Sequence, residues 1–230
     1  MGLIKYGGGV VQISGKVAGN VFARNRYGDY MKSWKKPTNP STAAQQNIRN
    51  IMAQMKDLWA ALSAAQREAW ETYATNTPVT NKLGDSVNLS GFNMFCRTNT
   101  ALLYHGMSSE SAAPTTYSLA EQDEDLTVAG DTSDQEINVG FDNSKAWASE
   151  VGGYLLLYVS RPQNPTVNYF KGPYQVLGKV AGAVVPPESP QDIATPFVIA
   201  TGEKVFLQAR ILRADGRLSE PFRCGGLVVA

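Results

Sequence analysis

Apolar positions along the chain follow two different periods, and the change of period divides it. From Thr42 the spacing is helical: Ile48, Ile51, Met52, Met55 and Leu58/Trp59 fall three and four apart and make one apolar face. Asn39 or Ser41 is placed to cap this helix, with Pro40 in its first turn. Ser63-Ala64-Ala65-Gln66 matches a capping box and opens a second helix with Ala65, Ala69, Trp70 and Tyr73 on its apolar side. Thr77-Pro78 stops it, and a polar loop centred on Asn81 to Asp85 follows. Ser90 caps a third helix, with Phe92, Phe95, Cys96, Leu102 and Leu103 on the buried side and Gly106 at its end. Trp59, Trp70, Phe92 and Phe95 are enough to close a small helical core.

Beyond residue 118 the period becomes that of strands. Candidates are Leu126–Ala129, Glu136–Phe141, Tyr154–Ser160, Tyr174–Val180, Phe197–Thr201, Lys204–Leu212 and Gly226–Val229. Ala214-Asp215-Gly216-Arg217 reads as a hairpin turn. Before residue 37 the chain is glycine-rich, with short strands expected at Val10–Ser14, Val21–Arg26 and Tyr30–Lys35 and a turn at Tyr27-Gly28-Asp29-Tyr30. Such a segment is too short to bury a core of its own, so it must lie against something else. The expected class is α+β: an N-terminal extended β arm (1–36), a small three-helix domain (37–106), a Ser/Ala/Pro-containing linker (107–118) and a C-terminal immunoglobulin/fibronectin III-like β-sandwich (119–230).

Composition adds exclusions. With 43% hydrophobic and 18% charged residues among 230, the chain is neither disordered nor collagen-like nor a coiled-coil rod. It has no run of 18 apolar residues, so no transmembrane helix and no membrane partner are expected, and Met1–Tyr6 lacks the apolar core of a signal peptide. The formal net charge of +1 hides a split. Residues 1–60 hold nine Lys/Arg against two Asp/Glu, and residues 61–230 hold twelve against eighteen. Between 108 and 150 there are ten acidic residues and one basic residue, Lys145.

Candidate chemistry is sparse. The single histidine, His105, sits before Gly106, where it can interact with the last carbonyls and the negative end of the helix dipole. Cys96 and Cys224 are 128 residues apart and read as buried free thiols in a reducing compartment. No catalytic residue, metal ligand set or cofactor site is assigned. Gly15-Lys16 does not complete a phosphate loop, because Val10 and Val17 stand where that loop needs Gly and Ser/Thr. The acidic runs Glu121–Asp125 and Asp131–Asp134 do not match a calcium loop and read as solvated acid. One stretch does mix cations with rings: Arg24, Arg26, Tyr27, Tyr30, Lys32, Trp34, Lys35 and Lys36. That mixture suits a protein interface, where Tyr, Trp and Arg are anchors, and also single-stranded nucleic acid. The acidic region of the same chain favours protein as the partner.

Ile137-Asn138-Val139-Gly140-Phe141, Gly153-Tyr154-Leu155-Leu156-Leu157-Tyr158 and Gly202–Arg210 followed by Asp215-Gly216-Arg217-Leu218-Ser219 resemble strands of a fibronectin type III or related sandwich, with Phe141 where a core tryptophan is usual. Ser14-Gly15-Lys16-Val17-Ala18-Gly19-Asn20, Tyr30-Met31-Lys32 and Asn39-Pro40-Ser41-Thr42-Ala43-Ala44-Gln45-Gln46 resemble the N-terminal pattern of an uncharacterised family found in bacterial and phage genomes. The phage context of that family implies a virion structural protein, in the head, neck or tail, made in the host cytoplasm. The expected partners are copies of itself, as a homo-oligomer, or other virion proteins. The alternative is a nucleic-acid-binding protein that uses the basic arm and the helices.

Overall fold

A computed structural model of the chain describes residues 2–131 and 134–228. The order of elements is β-strands, then helices, then β-strands. The contacts divide the chain into two compact units, 1–96 and 97–230, with the division inside the third helix.

The first unit opens with β1 (Gly2–Leu3), β2 (Gly15–Val17), β3 (Asn20–Asn25) and β4 (Gly28–Ser33). They form one antiparallel sheet in the order β1-β4-β3-β2. Val10–Ser14, expected as a strand, is irregular. Val10 and Val11 are 45% and 91% exposed, and pairing with β3 begins only where Gly15 meets Phe22. The β3–β4 turn is Arg26-Tyr27, earlier than expected, because the Asn25 side chain accepts the Tyr27 amide and stabilises the bend there.

Next come α1 (Ala43–Ala61), α2 (Ala64–Asn76), a hairpin of β5 (Val79–Thr80) and β6 (Ser86–Val87), and α3 (Gly91–Tyr104). Thr42, rather than Asn39 or Ser41, caps α1, its hydroxyl accepting from the Gln45 amide. Ser41 has φ of 48° and so leads the chain into the cap without occupying it. The Ser63/Gln66 capping box of α2 forms in both directions. Gly91 lets α3 start against α2: a Cβ there would stand 2.6 Å from the Glu71 backbone nitrogen, and the Gly91 amide donates to the Glu71 carboxylate. Trp70 and Phe95 are buried and meet edge to face at 5.4 Å, while Trp59 and Phe92 are half-buried against them. The α1 face is less covered than its periodicity suggests. Ile51 and Met55 are buried, but Ile48 and Met52 are 38% and 46% exposed.

In the second unit α3 ends in a Schellman turn. The Met107 amide donates to the Leu102 carbonyl and the Gly106 amide to that of Leu103, with Gly106 at φ 69°. Asn99, fully buried, bonds both the amide and the carbonyl of Glu110, which pins the segment that follows the helix. The strands are β7 (Thr127–Asp131), β8 (Glu136–Gly140), β9 (Tyr154–Val159), β10 (Gln175–Ala181), β11 (Gln191–Ala194), β12 (Lys204–Leu212) and β13 (Phe222–Val228). They make two antiparallel sheets, β11-β8-β7 and β10-β9-β12-β13. Ile137 and Val139 of the first share one hydrophobic cluster with Leu155, Leu157, Val159, Leu207 and Ile211 of the second.

Three expectations need correction here. Phe197–Thr201 is a loop and not a strand. Its Ile199 is buried and is held by the Gln135 side chain, which bonds both its amide and its carbonyl. The edge strand is the more polar Gln191–Ala194. The core does hold a tryptophan: Trp147, 1% exposed, packs at 5.4 Å from Phe141. The last strand begins at Phe222, and Val229, included in its expected range, lies outside the described residues.

Two serines complete β12. The Ser160 and Ser219 hydroxyls accept from the amides of Phe206 and Ile211, and their own amides donate back to the carbonyls of those residues. Both serines are fully buried, and each hydroxyl supplies an acceptor where the neighbouring chain leaves the ladder.

Candidate assembly interface

From residue 2 to residue 50 no side chain is buried; every one is exposed or half-buried. This stretch contains the whole four-stranded sheet and the first two turns of α1. A sheet of short strands draws its stability from a covered apolar face, and here the apolar residues Leu3, Val21, Phe22, Tyr30 and Met31 are only half-buried.

Pairing decides which side chains share a face. Lys16 lies opposite Val21, Val21 opposite Lys32, and Ala23 opposite Tyr30. Side chains alternate along a strand, so Lys16, Tyr30 and Lys32 stand on one face, with Trp34 in line just past β4. The Trp34 amide donates to the Gly19 carbonyl, the residue is 55% exposed, and the Lys16 ammonium sits 4.2 Å from its ring centroid. On the other face Phe22 lies opposite Met31, and Arg24 stands 4.0 Å from the Asp29 carboxylate. Arg26 and Tyr27 form the turn, and Lys35 and Lys36 lie exposed beyond the sheet. The structure thus joins Tyr30, Lys32 and Trp34 and sends Arg24 to the opposite side. It also adds Lys16, which the sequence shows only in a failed phosphate loop and in the Ser14–Asn20 motif.

The arm is fastened to the helical part by polar contacts. Asn81 is 9% exposed; its amide group donates to the Tyr27 carbonyl at 3.0 Å, and its side-chain oxygen accepts from the Leu83 and Asp85 amides. Lys5 and Asp85 form an ion pair at 2.7 Å. The Lys5 ammonium and the Asn81 amide hold the Asp85 carboxyl below its ordinary value. Sequence reading saw Asn81–Asp85 as a polar loop. Asn, Gly84 and Asp mark a turn, but nothing local tells that the turn faces the arm.

The other candidate groups are structural. His105 packs edge to face on Tyr158 at 5.1 Å, and burial, with Lys179 nearby, lowers its pKa from 6.5 to about 4. The cation at the C-terminus of α3 is therefore Lys179, which donates to the His105 carbonyl, and not the imidazole. Cys96 and Cys224 are free but half-buried; burial raises the Cys96 thiol, and the Cys224 thiol donates to the Leu126 carbonyl. Within the acidic runs Asp123 is buried, accepting the Asp125 and Asp142 amides, so that run is not simply solvated. Thr132 and Ser133 of the second run lie outside the described residues. Asp134, Glu136, Asn138 and Asp192 line a shallow recess of about 290 Å³ on the β11-β8-β7 sheet.

Among the described residues no group of three or more His, Cys, Asp or Glu could hold a metal ion, and no helix is long and apolar enough to cross a membrane. Compared with protein-family models, with curated proteins and with solved structures, the chain matches none.

Proposed function

We propose that the chain is a non-enzymatic structural subunit of a phage particle, in the head, neck or tail, that self-assembles or docks on other virion proteins through its N-terminal arm and its C-terminal β unit. One observation carries this reading: residues 2–50 include a complete sheet, and none of them is more than half-buried. A surface of that kind, with Trp34, Tyr30 and flanking lysines exposed or half-exposed, has the composition of a contact awaiting a partner. The C-terminal unit is read as a fibronectin III-like sandwich. Its strand orders β7-β8-β11 and β13-β12-β9-β10, with one shared core, support that. Such a module is a scaffold and brings no chemistry of its own.

The Lys16–Trp34 stack beside Tyr30 and Lys32 favours a second reading, in which the arm binds single-stranded nucleic acid by ring stacking and phosphate contact. Sedimentation velocity of the full chain and of a chain lacking residues 2–36, at several salt concentrations, tests the first reading. The full chain forms oligomers that weaken with salt, because exposed charges are screened over about 8 Å at physiological ionic strength. The shortened chain stays folded and monomeric. A monodisperse full-length monomer at high concentration sinks self-assembly. Filter binding of a single-stranded oligonucleotide with a steep negative salt slope would instead support the nucleic-acid reading.

A further inference from the structure

We infer that the Lys16/Lys32/Trp34 face of the arm sheet seats on the acidic outer face of the β11-β8-β7 sheet of a second copy of this chain, in a head-to-tail contact. The inference rests on the assembly reading above and names its partner surface. Residues 2–36 carry seven Lys/Arg and one Asp, and no side chain among them is buried. On this face Lys16, Lys32 and Trp34 are exposed, while Val21, Ala23 and Tyr30 are half-buried. The occupant must accept two lysines beside a flat aromatic ring.

The second unit displays a surface of matching chemistry. Asn138 lies opposite Asp192 on one side and Ala129 on the other, and Glu136 follows two residues along β8 on the same face. The Asn138 amide donates to the Asp192 carboxylate at 2.7 Å, which fixes that carboxylate's direction. These residues and Asp134 line the recess of about 290 Å³, and no Lys or Arg is among its lining residues. Ala129 and Gly130 keep its floor low, leaving room for a lysine tip or an indole edge. Lys16 and Lys32 stand two strands apart, about 10 Å. Glu136 and Asp192 are diagonal neighbours, about 7–8 Å apart. Flexible lysine stems bridge that difference.

Charge also selects the symmetry. A two-fold pairing of arm faces would set Lys16 and Lys32 against their own copies, and like charges across a contact are strongly unfavourable. The basic face therefore meets a different surface, and the contact is heterologous when each copy passes its arm to the next rather than exchanging arms with one partner. A heterologous contact repeats from copy to copy and yields rings or open filaments rather than closed dimers.

The test compares three variants of the full chain by sedimentation velocity at low salt, with thermal melts as a fold control. Lys16→Glu/Lys32→Glu alone and Glu136→Lys/Asp192→Lys alone should each weaken self-association by about tenfold or more. The chain carrying all four changes should associate again to within about threefold of the wild type, and an equimolar mixture of the two double variants should also regain association. If a charge-reversed chain melts early, the neutral pairs Lys16→Gln/Lys32→Gln and Glu136→Gln/Asp192→Asn replace it, and each should weaken association in the same direction. If the acidic-face variant associates like the wild type while the arm variant does not, this pairing is wrong and arm-led assembly survives. If the four-fold variant stays dispersed although it is folded, the pairing is likewise overturned. If the wild type itself never associates, both the pairing and self-assembly fall together.

Discussion

Substituting Asn81 by Asp separates two jobs that one side chain performs. The Asn81 oxygen accepts the Leu83 and Asp85 amides and shapes the turn, while its amide group donates to the Tyr27 carbonyl and holds the arm. Aspartate has nearly the same shape and keeps the acceptor. It loses the donor. The lost amide–carbonyl bond is worth about 0.5–1.5 kcal/mol net, so the population of chains with a detached arm should rise roughly two- to tenfold. The new carboxylate oxygen stands against the Tyr27 carbonyl, and oxygen against oxygen repels in the same direction; beside Asp85 it also makes the Asp85 carboxyl titrate at a higher pH than it does now. Hydrogen exchange at high salt, with the protein dispersed, reads the effect. Amides of β3 and β4 should exchange faster in Asn81→Asp, and residues 82–86, which keep their acceptor but gain a neighbouring like charge, should loosen only slightly. Asn81→Ala, which strips the acceptor as well, should loosen both. Equal arm exchange in Asn81→Asp and wild type would refute the tether, and so would a turn as loose in Asn81→Asp as in Asn81→Ala.

His105 makes stability depend on pH. Its folded pKa of about 4 lies below the ordinary 6.5, so as pH falls from 6.5 toward 4 the unfolded chain takes up a proton that the folded chain refuses, and stability drops. Urea midpoints at about pH 7 and about pH 5 should show this fall, and His105→Phe should flatten it; an unchanged slope in that variant would remove His105 as the cause. Ser160→Ala and Ser219→Ala each leave a buried amide, of Phe206 or Ile211, without its acceptor, at a cost of about 1–3 kcal/mol. The two sites lie about 17 Å apart along β12, so the double variant should show the sum in its denaturation midpoint. Midpoints equal to wild type would mean that the hydroxyls are dispensable.

The helices and their ends were legible in the residues themselves. A cap, a capping box and a Schellman glycine act over three to five residues, so Ser63–Gln66 and Gly106 carry their meaning locally. The long apolar strands were legible too, since β9 and β12 are buried and say so by composition. β11 was not, because in this four-residue edge strand only Ile193 packs on the core, Gln191 stands on the inner face opposite Val139 and Asp192 on the outer, so it has no apolar signature, while the apolar Phe197–Ile199 run packs as a loop. The mixture of cations and rings between Arg24 and Lys36 was visible, but its division between two faces was not. That division follows from strand register, which a one-residue shift would invert. Lys16 reaches Trp34 through the β2–β3 pairing, and Asn81 reaches Tyr27 across 54 residues. Burial was decided by tertiary structure alone. Periodicity marks which side of α1 or of the arm is apolar, but whether anything covers that side depends on what packs there, and for residues 2–50 nothing in their own unit covers it fully.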